Sequence, residues 1–286
     1  MTKNLAKVGK NLSNILVYAL LSILGVLWVL PICYLIYTAF RVTPSTGIIN
    51  TLLPDNLKLG FGNFTRLFQD TMFTRWLLNT LFVASCSCAL TTIFILMVSY
   101  ALSRLRFRMR KPIMNVLLVL GMFPGFMSMI AVYFILKAMG LTNSLFALIL
   151  VYSGSAALSY YICKGFFDTV PRAMEEAAIL DGANQPMVFW KIILPMAKPI
   201  IVYTVLTSFI SPWCDFIFVN TIISDRTKYT VSLGLYKMIN AEKNSFNDNF
   251  TVFCAGAFVV GAIIVTLFMS MQRYYVEGVT SGAVKG

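Results

Sequence analysis

The chain has 286 residues, of which 58% are hydrophobic and 12% charged, with no histidine and a formal net charge of +12. A soluble domain carries roughly 25% charged residues, so this sequence lacks the polar groups to cover a water-soluble globule and reads as a polytopic membrane protein. The absence of histidine excludes Ser-His and Cys-His dyads, histidine-ligated zinc and a histidine general base.

A membrane-crossing helix needs about 20 apolar residues. Six windows qualify, at residues 15–40, 76–103, 112–136, 145–163, 199–224 and 249–272. The first is too long for a secretory signal and no small-residue cleavage site follows it, so it reads as a retained span. Breakers interrupt several windows: Pro31 in the first, Gly121 to Gly125 in the third, Gly154 in the fourth and Pro212 in the fifth. Bent helices at membrane depth line protein or a water-filled cavity, as in a transport pathway; close helix packing is the alternative. No linker, low-complexity run or repeat divides the chain, which reads as one transmembrane domain over residues 1–286.

Six spans place both termini on one side. Fourteen of the 23 basic residues fall on that side, five of them between Arg104 and Lys111. The positive-inside rule makes it cytoplasmic. The basic residues are scattered between apolar blocks and form no basic face with interleaved aromatics, so they suit topology and anionic lipid headgroups rather than nucleic acid. No phosphate-cradling G-x-x-x-x-G-K-[ST] loop occurs. The six cysteines lie in apolar stretches without a C-x-x-C pair, which suggests buried free thiols and no metal site. The two Asn-Phe-Thr sequons, at Asn63 and Asn249, read as chance.

The longest cytoplasmic segment, residues 164–198, is the most specific part of the sequence. Asp168 or Thr169 offers an N-cap, Pro171 sits in a first turn, and Glu175 and Glu176 suit the positive end of a helix. Ala173, Ala177 and Leu180 follow at helical spacing, and Gly182 permits a left-handed cap. A second helix starts near Asn184, with Pro186 early, and stops at Pro195. Such a hairpin, low in profile at Ala177 and Ala178, suits either a groove in another protein or the headgroup layer.

The residues alone leave both open, and a resemblance to a known family favours the protein groove. Glu176-Ala177-Ala178, Gly182, and Ile192 with Leu194-Pro195 form E-A-A-x3-G-x9-I-x-L-P without departure. This resembles the EAA signature of permease subunits of bacterial ABC importers. The flanks, Phe167 to Pro171 and Asp181-Gly182-Ala183, look like the carbohydrate-uptake branch. The resemblance implies an all-α, six-span MetI-like permease, with residues 164–198 docking in a cleft of an ATPase subunit. Glu175, Glu176, Ala177, Ala178, Asp181, Gly182, Ile192, Leu194 and Pro195 are the coupling residues it implies. It also implies a homologous permease partner, two ATPases that hold ATP and Mg²⁺, an extracytoplasmic solute-binding protein and a sugar cargo. This chain itself would bind no cofactor and catalyse nothing. A peptide, glycerol phosphate or acidic oligosaccharide is the nearest alternative cargo; a membrane enzyme or channel is the distant alternative.

The last ten residues, Glu277 to Gly286, are similar to the tail of the second membrane subunit of maltose/maltodextrin importers, with Val279 and Ser281 as conservative departures. In that family the tail inserts between the ATPases, which implies such a role for Ser281, Gly282, Ala283, Val284, Lys285 and Gly286; a frayed polar terminus is the alternative. Asp215 is the only acid within a span. At ~1.5 Å per residue it lies about 24 Å beyond Pro199, towards the external end. Trp213, Asp215 and Asn220 are therefore candidates for the translocation path, since sugars favour aromatic platforms and hydrogen-bonding rims. An interhelical polar contact is the other reading. For the external loop from Asp225 to Asp248, with Tyr229, Leu233, Leu235, Tyr236 and Met238, the resemblance implies a reach towards the binding protein; a simple capping loop is the alternative.

Overall fold

We describe a computed structural model of the chain, covering residues 2–42, 58–122, 125–241 and 245–283, with side chains for all of these but 2–13, 126, 245–248 and 273–283. Among the described residues the backbone is helical, with no strand beyond one isolated antiparallel bridge between Arg41 and Leu59. Among the described residues three helices are singly long and apolar enough to cross a membrane, and three bent pairs, each counted as one span, raise the number to as many as six.

The chain forms two compact units, residues 1–71 with 238–259, and 72–237 with 260–286. The first contains α1 (Thr2–Phe40) and α2 (Gly62–Gln69). Asn63 holds their junction by donating from Nδ2 to Ala39 O at 3.0 Å and to Arg41 O at 2.7 Å. Its side chain is buried, so its sequon is not a glycan acceptor in this fold. Phe40, Phe61, Phe64 and Phe258 form an aromatic cluster in this unit, with neighbouring ring centroids 4.9 to 6.0 Å apart. Pro31 does not break α1, which is continuous through it. The first part of α14 (Ser245–Ala283) also belongs to this unit and the rest to the second.

The second unit is built around α3 (Phe73–Arg104), which packs against α6 (Leu145–Gly154), α7 (Ala157–Thr169) and α11 (Lys198–Cys214). One edge of α3 carries small polar residues at helical spacing. Thr91 Oγ1 donates to Tyr152 O at 3.4 Å and Ser99 Oγ to Tyr160 O at 2.9 Å. Hydroxyls that satisfy carbonyls across helices are an apolar medium's substitute for water. They fall beside the 42° bend between α6 and α7.

The third window is also two helices, α4 (Arg110–Met122) and α5 (Gly125–Ala138), as its glycines suggested. In the fifth, Pro212 stays inside α11 and the helix opens at Asp215 and Phe216, before α12 (Ile217–Ile222). The proline removes one backbone donor, and the carboxylate two turns from the end of the window supplies the next start. Of the six thiols, only Cys88, Cys163 and Cys254 are buried; Cys86 is half-buried, and Cys33 and Cys214 are exposed on this chain's surface. Apolar sequence context does not separate a core position from one facing lipid or another subunit.

Candidate functional site

The segment after α7 folds as a hairpin. Its first helix is α8 (Ala173–Leu180), with Glu175 and Glu176 in the first turn. Asp168 and Thr169 do not cap it, because α7 continues through both. Asp168 instead accepts from Ser103 Oγ at 2.6 Å and pairs with Lys164 at 2.5 Å. The C-terminus of α8 is closed by Gly182 at φ +88°. Gly182 N–H donates to Ile179 O at 3.0 Å and Ala183 N–H to Ala178 O at 2.9 Å, the two bonds of a Schellman cap.

The return arm runs α9 (Gln185–Met187), a π-helical turn (Val188–Ile193) and α10 (Leu194–Met196). Asn184 caps it, accepting from Met187 N–H at 2.9 Å. Helical geometry passes through Pro195 and ends at Ala197, not at the proline; the chain then turns by 83° into α11. The wider π-turn rotates Val188, Phe189 and Ile193 inwards, where they are buried with Phe167, Ala178 and Tyr100. Trp190 is left exposed.

The hairpin sorts the motif residues into two faces. Glu175 and Ala178 are buried, and Ile192 and Leu194 are half-buried against the same core. Glu176, Ala177, Asp181, Gly182 and Pro195 are exposed. Around them stand apolar side chains: Leu180 at the tip is 88% exposed, and Met174, Ile179, Met187 and Trp190 are also exposed.

Glu175 points into the molecule, where its Oε1 lies 2.7 Å from Arg104 Nε; the two side chains are 12% and 5% exposed. The Arg104 guanidinium also donates through Nη2 to Phe167 O and Val170 O, each at 2.7 Å. Burial pushes the Glu175 carboxyl's pKa up, and the facing Arg104 and the nearby Arg172 offset only part of that, so it stays above the ordinary glutamate range. Arg104 figures in the sequence only as one of a topogenic cluster.

A second site lies where α11 ends. Asp215 Oδ1 accepts from Phe218 N–H at 3.0 Å, capping α12, and Oδ2 accepts from Tyr152 Oη at 2.9 Å. Asp215, Tyr152, Ser155, Ser211 and Ser128 line a cavity of about 420 Å³, within the size range of ligand pockets. Asn220 lines a separate cavity of about 410 Å³ with Tyr133, Asn143 and Lys237. α12 contributes to both. Trp213 lines neither: it is 3% exposed, packs on Phe209 at 5.8 Å between centroids, and takes a hydrogen bond on its carbonyl from Ser232.

The 225–240 loop is folded, through a 3₁₀ turn (Arg226–Lys228) and α13 (Val231–Asn240). Leu233 and Leu235 are buried, and Tyr236 stacks on Phe216 at 4.6 Å. Asn79 Nδ2 donates to Thr227 O and Tyr229 O, and Trp76 Nε1 to Arg226 O. Asn143, at φ 59°, accepts from the N–H groups of Ser224 and Asp225. Tyr152 and Asn143 were not singled out from sequence; for Asn143 the turn-forming run Gly140-Leu141-Thr142-Asn143-Ser144 is the available signal. In the tail, Ser281, Gly282 and Ala283 end α14, whereas Val284, Lys285 and Gly286 lie outside the described residues.

The family of binding-protein-dependent transport system inner membrane components matches residues 92–280, from within α3 to the last turn of α14. The chain belongs to that family. It is an ABC-importer permease of a multi-pass inner membrane protein type, all-α and MetI-like. The permease is 32% identical over 286 residues to the maltodextrin transport system permease protein MalD of Streptococcus pneumoniae, with 99% of each chain covered. It is 29% identical to the galactooligosaccharides transport system permease protein GanQ of Bacillus subtilis, over 98% of each chain. Its fold is similar to that of a bacterial ABC transporter involved in the import of the acidic polysaccharide alginate, with a TM-score of 0.76 and 23% identity, covering 93% of the permease and 97% of that chain.

Proposed function

We propose that the permease carries a sugar or oligosaccharide of maltodextrin type inwards by alternating access, as the membrane subunit beside a homologous permease, two ATPases and an extracytoplasmic binding protein. Both termini and the 173–196 hairpin face the cytoplasm in this reading, in keeping with the basic cluster from Arg104 to Lys111. Hydrolysis belongs to the ATPases, which hold ATP and Mg²⁺; the permease is not an enzyme. The family and the curated sugar-importing relatives support the sugar class.

The observation that carries the coupling role is the face of the hairpin. Leu180, 88% exposed, and its apolar neighbours project beside the Glu176-Ala177 pair at the Schellman turn of Gly182. An exposed apolar knob on a polar-side loop is a docking feature. Seated in an ATPase cleft, it is driven by closure of the ATPase dimer, which turns the spans outward-facing; hydrolysis returns them. Ser281 to Gly286 insert between the ATPases in the same reading. Asp215 and Asn220 present polar groups to cargo at the two cavities flanking α12; Trp213 supports α12 from the core.

Reconstitution of the complex in liposomes tests the docking role. Gly182→Asp or Glu176→Lys should abolish binding-protein-stimulated ATP hydrolysis and uptake together; unchanged rates for both refute it. Thermal-shift screening of the cognate binding protein against neutral and acidic oligosaccharides tests the cargo class, and a response confined to oligouronates overturns the maltodextrin reading.

A further inference from the structure

The last turn of α3 does more than end a span. Within five residues Tyr100, Ser103 and Arg104 each reach the hairpin or the segment leading to it. Tyr100 Oη donates to Gln185 Oε1 at 3.2 Å and its ring packs on Phe189 at 4.9 Å. Ser103 holds Asp168 at the end of α7. Arg104 bridges Phe167 O, Val170 O and the Glu175 carboxylate. Both arms of the hairpin are thus fixed to one helical turn, and that helix packs on α6, α7 and α11.

Buried ion pairs are poor sources of stability, since desolvation consumes most of their attraction and apolar pairs of similar volume replace them without loss. Their distinctive property is geometric: a planar fork that donates to two backbone carbonyls and faces the Glu175 carboxylate at 2.7 Å holds α8 in one orientation relative to α3. We propose that Arg104 is a positioning residue for coupling, with Glu175 as its counterpart, and that this pair makes the hairpin and α3 move as one body. The ATPase would then move the hairpin through its outer face, Glu176 to Gly182, while Glu175 passes the displacement inwards to α3. From α3 it reaches α11 and the cavity beside Asp215. Glu175 therefore does not meet the ATPase, although it lies next to the docking motif in sequence. The inference rests on the docking role proposed above.

The test uses the complete importer in liposomes, reading uptake per ATP hydrolysed, with Ala177→Cys cross-linking to the ATPase as a report of docking. Arg104→Lys, which keeps the charge and loses the fork, should lower uptake per ATP about tenfold while the cross-link persists. Arg104→Met with Glu175→Met should restore the thermal stability of the complex and leave the ratio low. If the methionine pair restores the ratio together with stability, the pair is packing alone and the proposal fails. Retention of the wild-type ratio by Arg104→Lys overturns it too. Loss of the cross-link in the otherwise unaltered chain refutes the docking role instead. Should Arg104→Lys fail to assemble, the methionine pair decides.

Discussion

Tyr152 and Asp215 meet across 2.9 Å, the hydroxyl of α6 donating to the carboxylate at the break between α11 and α12. The same carboxylate caps α12 through Phe218 N–H. Asp215 therefore serves the fold and faces the 420 Å³ cavity at once. Substitution separates the two roles. Asp215→Asn retains an acceptor for Phe218 N–H and removes the charge. The complex should assemble at normal yield while sugar uptake falls about tenfold. Asp215→Leu removes the cap as well and should reduce the yield, a loss of about 1–2 kcal/mol. Equal uptake by Asp215→Asn and the wild type at matched yield would leave only the structural role.

Gly234 of α13 lies against the indole of Trp76, where an added Cβ would overlap the ring. The ring is held by the bond from Nε1 to Arg226 O at 3.0 Å and has little room to move. Gly234→Ala should destabilise the chain by about 1–3 kcal/mol, read as a lower melting temperature in detergent. Gly25, which meets nothing within 4 Å, is the control: Gly25→Ala should leave that temperature unchanged or raise it slightly.

Gly182 is required for its φ of +88° and not for space, since nothing lies within 4 Å of its Cβ position. Gly182→Ala should cost about 1 kcal/mol and speed hydrogen exchange at the Gly182 position's own amide and at Ala183. Gly182→Asn should cost less, because asparagine tolerates left-handed backbone.

Glu175 predicts a pH response of definite sign. Its carboxyl titrates above the ordinary glutamate range because burial outweighs the facing cations, Arg104 from α3 and Arg172 beside α8, with Glu176 adding to the rise. The folded chain thus holds this proton more tightly than the unfolded one. As pH falls through the raised value towards about 4.3, this group adds stability while its charge opposite Arg104 disappears. Uptake per ATP should drop in that window without a parallel loss of thermal stability. Glu175→Gln should flatten the acid limb; an unaltered limb assigns it to another group.

Asn143 ties the α5–α6 connection to the 222–228 segment. Asn143→Ala should accelerate exchange of the Ser224 and Asp225 amides by about tenfold, corresponding to the loss of about 1–2 kcal/mol of local hydrogen bonding. Asn143→Asp keeps the acceptor and should hold most of the protection.

The features legible in the sequence share one property: they are local. The hairpin from Ala173 to Met196 was visible because the early acids, Gly182 and the capping Asn184 each act on backbone within a turn or two of their own positions. Its boundaries were less so. The assignment of Asp168 as a cap failed because a distant hydroxyl, Ser103, and a neighbouring Lys164 compete for that carboxylate. Pro195 did not end the return arm because the π-turn before it absorbs the change in register.

By itself, then, the sequence determined the medium, the apolar windows and the E-A-A-x3-G-x9-I-x-L-P motif of the hairpin. Each is set by composition or spacing over at most a few turns of helix. The tertiary structure decided which polar groups face one another: Tyr152 with Asp215, separated by 63 residues, and Arg104 with Glu175. No spacing rule encodes such pairs. They form because buried charges and hydroxyls must find partners wherever packing brings helices together, so Glu175 faces inwards while the adjacent Glu176 stays on the surface.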